Sequence, residues 1–472
     1  MSARINILVL IILALPLSGL AESVLPVGVQ SSLNLRRAPD SSLSVYIENL
    51  DTGKPVLTWN EDVPRNPASV IKLLTTLAAL DILGPAYTWK TEIYLLGETK
   101  GDVLNGDLLL KGYGDPFLVT ERIWQMLHEV RQKGIRKITG DLLIDDSYFD
   151  VPLHDPAKFD SEPLRAYNVA PNALMMNFKV VRYHFEPDPD SAAVDIRLDP
   201  PLENLLIDNR IRLVPGRCRG YQRGITITPS GDYNLMVMTG NFPSGCESFS
   251  IGRTALGHNE FAYGIFKSIW KESGGEFSGS YWNAITPDDI EPFLVFESWP
   301  LADIITKVNK HSNNVMARQL LFTLGAEKVD VPGTEDGGRQ VIEDWLKSKR
   351  LQATELKLDN GSGLSRKSRI SARNLGELLR YAWQSPYMPE FLSSLSVSGL
   401  DGTLARRFRE DPLTGKAHIK TGRIDNVAAI AGYLHSRSGG RYSLVVLQNY
   451  ADVHRGPGEE VQAALLRWLY EQ

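Results

Sequence analysis

The sequence predicts an α/β protein, one mixed domain interrupted by a large β-rich insertion that forms one or two extra domains. Three observations lead there. Strand-like runs stand near both ends of the chain, helical periodicity dominates between about 301 and 383, and residues 93–285 read mostly as short alternating strands. At 472 residues the chain is too long for one ordinary core. Hydrophobic residues make up 43% and charged residues 23%, which excludes a disordered or collagen-like chain. The formal net charge of -5 gives no basic footprint, so nucleic acid is not an expected partner.

The N-terminus reads as an export signal. Arg4 precedes the apolar run Ile5 to Leu15, followed by Pro16 and the small-residue stretch Ser18-Gly19-Leu20-Ala21. A basic n-region, a short h-region and a small-x-small site predict a signal peptide over 1–21, cleaved after Ala21, and a periplasmic protein. The run falls short of the roughly 20 residues a spanning helix needs, and no later stretch supplies a transmembrane anchor. Cys218 and Cys246 are the only cysteines. In an exported chain such a pair is expected to form a disulfide, contributing about 3.5 kcal/mol at most by loop entropy; free buried thiols are the alternative.

Element by element, residues 22–42 lead in loosely. Leu43 to Glu48 and Pro55 to Trp59 flank Asp51-Thr52-Gly53 and predict a hairpin. After Pro64 and Pro67, the run Ala68 to Leu83 ends at Gly84-Pro85 and predicts a mostly buried helix with Ser69 in its first turn. Glu92 to Leu96, Val103 to Lys111, Ile138 to Asp145 and Val194 to Leu198 predict strands, interrupted by an amphipathic helix over Glu121 to Lys133. Helical stretches follow at Leu301 to Leu324, Gly338 to Lys349 and Ala372 to Trp383. Strands return at Ala417 to Thr421, Ala428 to Ser436 and Arg441 to Asn449, before a last helix over Gly458 to Leu469. The α/β domain is thus expected from 24–92 and 286–472, with the insertion over 93–285.

Three short motifs carry chemistry. Ser69-Val70-Ile71-Lys72 is S-x-x-K, and positions i and i+3 of a helix share a face, so the amine reaches the hydroxyl. A helix start beside the nucleophile also supplies N–H groups and a positive dipole end. Alone the motif is weak, since Ser268-Ile269-Trp270-Lys271 matches it inside an amphipathic helix and reads as a plain helix face. Ser312-Asn313-Asn314 is S-x-N, and Lys420-Thr421-Gly422 is K-T-G at a strand edge, where glycine lets substrate backbone approach. Each of the last two is common by chance. Their order on one chain is not.

S-x-x-K, S-x-N and K-T-G in that order are the signature of penicillin-recognising serine enzymes. The chain closely resembles one branch, the class C low-molecular-mass penicillin-binding proteins, which are serine D-Ala-D-Ala carboxypeptidases and endopeptidases. The 243 positions from Ser69 to Ser312 leave room for the large insertion of that family. Further similar stretches are Gly112-Tyr113-Gly114-Asp115-Pro116, Ala170-Pro171-Asn172-Ala173-Leu174, Asp359 to Arg366 and Gly399 to Leu404. The resemblance implies a β-lactamase/transpeptidase-like fold, peptidoglycan stem peptides and cross-links as substrates, and β-lactam antibiotics as covalent inhibitors. No metal or cofactor is implied. Ser69 is then the nucleophile and Lys72 its base, neutral only if buried or beside a second cation, for which Lys420 is the candidate. Ser312 relays a proton to the leaving amine, and Asn314 orders the lysine and the peptide carbonyl. Lys420 and Thr421 bind the terminal carboxylate. The N–H groups of Ser69 and Arg423 are the oxyanion hole.

Two departures stand out. Arg423 follows K-T-G where the superfamily commonly has a small hydroxyl residue, and it either contacts a carboxylate or points to solvent. The stretch Phe159-Asp160-Ser161-Glu162-Pro163 lacks a tryptophan often found there. In the family an insert acid near this point recognises the amine of diaminopimelate; Asp160, Glu162 or neither takes that role. His311 and His418 beside the motifs read as structural neighbours. A β-lactamase, and a wall-binding or β-lactam-sensing module without turnover, are the competing readings; the long insertion disfavours the first and intact Lys72 and Lys420 the second.

Overall fold

The structure, a computed structural model, describes residues 24–188, 190, 193–218, 224–231, 233–351 and 353–472. The expected signal peptide, 1–21, lies outside the described residues. The two chain ends build one antiparallel six-stranded sheet, ordered Ser396–Val397, Ala417–Ile424, Val427–His435, Arg441–Asn449, Leu43–Asn49, Lys54–Trp59. Its central strands are apolar on both sides because both faces are covered. Val45, Ile47, Ile430, Leu434, Leu444 and Val446 face one layer of helices, and Tyr46, Ala429, Ala431, Tyr433, Val445 and Leu447 face the other. The period-2 alternation of a strand thus serves two cores at once.

The outer layer pairs the terminal helix Pro457–Tyr470 with the helix Val27–Leu35. This second helix corrects the expected loose lead-in. It buries Val29 and Leu33, four residues apart, and a Cβ on Gly28 would stand 3.6 Å from Ala464 Cβ. Only two of its four large apolar residues are buried, Val27 and Leu35 being exposed, and no side chain caps it, so there is little periodicity to read. The inner layer holds Lys72–Leu83, Leu301–Lys310, Asn314–Lys328 and Ala372–Gln384.

The insertion carries a seven-stranded sheet built on Lys90–Lys100 and Val103–Gly112, covered by the helices Thr120–Gln132 and His258–Glu272. Its edge strand Leu294–Glu297 pairs with Lys90–Ile93, so the inserted sheet runs on to 297, past the expected return at 286. Two three-stranded sheets complete it, with Phe242 and Phe185 of different sheets both stacked on Phe249. Strands Leu206–Arg217 and Leu235–Gly245 lie parallel with Arg217 opposite Gly245, and the next residue on each is a cysteine. Cys218 and Cys246 form the expected disulfide, Cα atoms 4.6 Å apart. No helix among the described residues is long and apolar enough to cross a membrane.

Candidate active site

Ser69 lies in a tight 3₁₀ turn, Ala68–Ile71, that runs directly into the helix Lys72–Leu83. In a 3₁₀ turn residues i and i+3 eclipse, so the serine and lysine of S-x-x-K stand one above the other. Lys72 Nζ is 3.1 Å from Ser69 Oγ. The first nine residues of the helix, Lys72 included, are buried, which fits a segment with apolar residues all round. The amine also meets Asn314 Oδ1 at 2.5 Å and the Ser362 carbonyl oxygen. Both of those are obligate acceptors. A neutral amine has two N–H donors and one lone pair, so donating to both leaves the lone pair for the Ser69 hydroxyl.

The charge state follows from burial. Desolvation, then repulsion from Lys420 and from Arg318, holds the Lys72 ammonium well below the ordinary lysine range. Burial likewise pushes Lys420 down to about 7. Lys420 Nζ contacts Ser312 Oγ at 2.9 Å and the Thr421 carbonyl at 2.8 Å.

Ser312 shows where the sequence misled. The expected helix over 301–324 is broken into Leu301–Lys310 and Asn314–Lys328. Between them Ser312 takes φ 55°, a left-handed backbone that ends the first helix. The Asn313 side chain accepts from Met316 N–H at 3.1 Å and caps the second. Apolar spacing continues across the break, which hides it. The turn turns Ser312 and Asn314 toward the cleft, and the Lys310–Asp401 ion pair ties it to the stretch beside the K-T-G strand.

That strand, Ala417–Ile424, extends beyond the expected end at Thr421. The Lys416 carbonyl accepts from His435 N–H toward the sheet, while the Ala417 carbonyl accepts from Ser398 N–H on the other side. Antiparallel alternation therefore points the peptide groups of Thr421 and Arg423 outward. The neighbouring strand begins at Ser396, opposite Ile419, and does not reach Thr421 or Arg423, so these groups face the cleft. A Cβ on Gly422 would stand 2.6 Å from Pro67 O and 3.1 Å from Ser69 N. The glycine is needed first for the strand to pack against the nucleophile's own turn, rather than for the approach of substrate backbone.

Ser69 sits where two cavities meet. One, of about 570 Å³, is lined by Asp160, Tyr167, Phe178, Ser312 and Asn314. The other, of about 410 Å³, is lined by Thr403, Arg407, Thr421 and Glu459. Arg423 borders both; its guanidinium is largely exposed and faces the protein's own Glu459 carboxylate at 3.4 Å. Sequence reading missed four groups. The Ser362 carbonyl and Thr403, whose hydroxyl bonds Thr421 Oγ1 at 2.8 Å, lie in the stretches already noted at 359–366 and 399–404. Arg318 was detectable as the i+4 neighbour of Asn314 on one helix. Arg407 carried no signal. The second S-x-x-K is a helix face, with Lys271 paired to Glu203. His311 borders the larger cavity, and burial lowers the His418 imidazole.

A family model described as D-Ala-D-Ala carboxypeptidase 3 (S13) matches residues 29–472. The chain belongs to the D-Ala-D-Ala carboxypeptidase 3 (S13) family. It is 29% identical over 412 residues to a D-alanyl-D-alanine carboxypeptidase of Actinomadura sp. (strain R39), covering 84% of this chain and 75% of that one. It is 21% identical to the D-alanyl-D-alanine carboxypeptidase DacB of Haemophilus influenzae, covering 89% and 88%. The crystal structure of penicillin binding protein 4 (dacB) from H. influenzae superposes with a TM-score of 0.78 at 20% identity, over 95% of this chain and 100% of that one. A predatory peptidoglycan endopeptidase of Bdellovibrio bacteriovorus gives 0.54 at 15% identity, over 91% and 92%. The H. influenzae protein has also been solved with a β-lactam. The S13 chain is thus a hydrolase with the expected penicillin-recognising α/β fold and insertion.

Proposed function

We propose that this S13 protein is an exported, periplasmic serine peptidase that acts through a Ser69 acyl-enzyme. It releases D-alanine from D-Ala-D-Ala stem peptides and cuts the D-Ala–diaminopimelate cross-link. The observation that carries this is the Lys72 amine, buried, held by two carbonyl-type acceptors and facing Ser69 Oγ. Lys72 takes the hydroxyl proton as Ser69 attacks the penultimate D-Ala carbonyl. The N–H groups of Ser69 and Arg423 receive the oxyanion. Ser312 passes its proton to the leaving nitrogen and regains one from Lys420 across 2.9 Å. Water then hydrolyses the ester.

Both leaving groups are D-amino-acid centres bearing a free carboxylate beside the departing nitrogen. Thr421, Thr403 and Arg407 line the cavity on one side of Ser69 and supply donors for that carboxylate, with the buried Lys420 amine behind them on Ser312. On the other side, Asp160 is the insert acid in the cleft. Tyr167 O–H donates to its Oδ2 at 2.8 Å and Asn168 Nδ2 to its Oδ1 at 2.8 Å. Glu162 pairs instead with Arg165 at the surface. We assign to Asp160 the amine of the stem peptide's diaminopimelate. Labelling with a fluorescent penicillin tests the core of the reading: the native protein labels and Ser69→Ala does not. Persistent labelling of Ser69→Ala, or no D-alanine released from a pentapeptide by the native protein, would overturn it.

A further inference from the structure

A cavity of about 860 Å³, larger than either of the two at Ser69, does not contain Ser69. It opens inside the insertion, against the N-terminal end of the helix His258–Glu272. Lys179, His258 and His154 line it. Among the described residues no side chain hydrogen-bonds or ion-pairs with the Lys179 ammonium. Nor do the acids in the wall satisfy it. Asp146 receives the side-chain amides of Asn172 and Asn259 at 2.7 and 3.2 Å. Glu260 caps its own helix by accepting from Gly257 N–H at 2.8 Å. Asp150 is exposed. Burial pushes Lys179 down to about 8 and, with Lys179 and His154 nearby, His258 down to about 3. His258 is therefore a neutral N–H donor near neutrality, beside an ammonium whose one attracting charge, Glu260, lies beyond ion-pair distance and is engaged in capping its own helix.

The wall between this cavity and the active site is one turn thick. Asn177, Phe178 and Lys179 take φ 45°, 54° and 56°, three consecutive left-handed residues without a glycine. Cβ sterics disfavour such residues, and strain of this kind persists where the surroundings enforce it. Its effect is to send neighbouring side chains opposite ways. Phe178 and Val180 line the Ser69 cavity, and Lys179 lines the second one.

We propose that the second cavity binds a carboxylate of a peptidoglycan fragment between Lys179 and the first turn of helix His258–Glu272. A half-buried ammonium in no ion pair, a neutral imidazole donor and a helix start converge on one space, and a carboxylate satisfies all three. The choice of a wall fragment rests on the function proposed above. Two parts of such a fragment carry the chemistry: the stem peptide, and the lactyl group of a muramic acid freed of its peptide.

The test uses the full chain with Ser69 acylated by benzylpenicillin, so that the catalytic cleft is blocked. Calorimetric titration with the tripeptide L-Ala-γ-D-Glu-diaminopimelate, and separately with N-acetylmuramic acid, should give saturable binding of at least one; which one binds identifies the source. N-acetylglucosamine, which has no carboxylate, should not bind. Lys179→Met should weaken binding about tenfold or more, Lys179→Arg should retain it, and both should acylate at the native rate. Hydrogen-exchange protection of residues 177–180 and 254–260 in the native protein gives a second readout that needs no variant. Failure of both carboxylates to bind the acylated native protein, equal affinity in Lys179→Met, or no protection of those segments would overturn the proposal. Acylation that succeeds while binding fails removes the second site and leaves the Ser69 reading intact.

Discussion

Gly422 lies directly under the Ser69 turn, so close that a β-carbon on it would stand 3.1 Å from the Ser69 amide nitrogen and 2.6 Å from the Pro67 carbonyl. Backbone cannot yield there as a flexible side chain would. Gly422→Ala is therefore expected to push the strand Ala417–Ile424 away from the nucleophile and part the Ser69 and Arg423 N–H groups. A shift near 1 Å costs about 100-fold in such geometries. The rate of benzylpenicillin acylation should fall by about that much while the protein stays folded. A native rate would show that the contact is slack.

Arg318 offers a test of charge. Its guanidinium is the third cause, after burial and Lys420, of the depressed Lys72 pKa. Lys72 works as a neutral base in the proposed mechanism, so the rate rises with pH as Lys72 loses its proton. Replacing Arg318 by Gln removes a repulsion that disfavours the ammonium, so the Lys72 pKa rises. The acidic limb of the acylation profile should move to higher pH. An unmoved limb would mean that Arg318 is structural only.

Lys420 should cost stability. Its folded pKa, about 7, lies below the ordinary lysine value near 10.5. Between the two the unfolded chain holds the extra proton, so stability rises with pH across that window. Below about pH 7 the penalty is complete, and above about 10.5 it vanishes. Lys420→Met is expected to raise the melting temperature at pH 6 and to lose that advantage by pH 10. Its penicillin acylation should be nearly abolished. Equal gains at both pH values would point to packing rather than charge.

Asp160 sets a specificity prediction. A carboxylate held by Tyr167 and Asn168 gains from a ligand ammonium without having to reorganise. Asp160→Asn should lower kcat/KM about 10- to 100-fold for peptides with a free diaminopimelate amine. For the same peptides with that amine acetylated, native and variant proteins should be nearly equal. Glu162→Gln should change neither. Loss confined to Glu162→Gln would reverse the assignment.

Much of this architecture was legible before any coordinates. The hairpin at 43–59, the strands at 417–449 and the buried helix after Ser69 follow from period and turn chemistry, because their environments are uniform along their length. Less uniform segments were not legible. The helix Val27–Leu35 depends on a partner more than 420 residues away in sequence. The break at Ser312 sits inside unbroken apolar spacing, so only the demand of the cleft reveals it. Leu294–Glu297 joins the inserted sheet because an edge strand was needed beside Lys90–Lys100, and four residues carry too little pattern to show it.

The sequence by itself determined the identities that matter: three ordered motifs, a single pair of cysteines, and an apolar pattern able to cover both faces of one sheet. These are local properties of the chain. Only the tertiary structure decided that Asp160 rather than Glu162 enters the cleft, that Arg318 adds its charge to the Lys72 site, and that Lys179 faces a separate cavity. The reason is physical. Desolvation, repulsion and hydrogen-bond direction depend on which groups lie within a few ångströms, and no one-dimensional spacing encodes that.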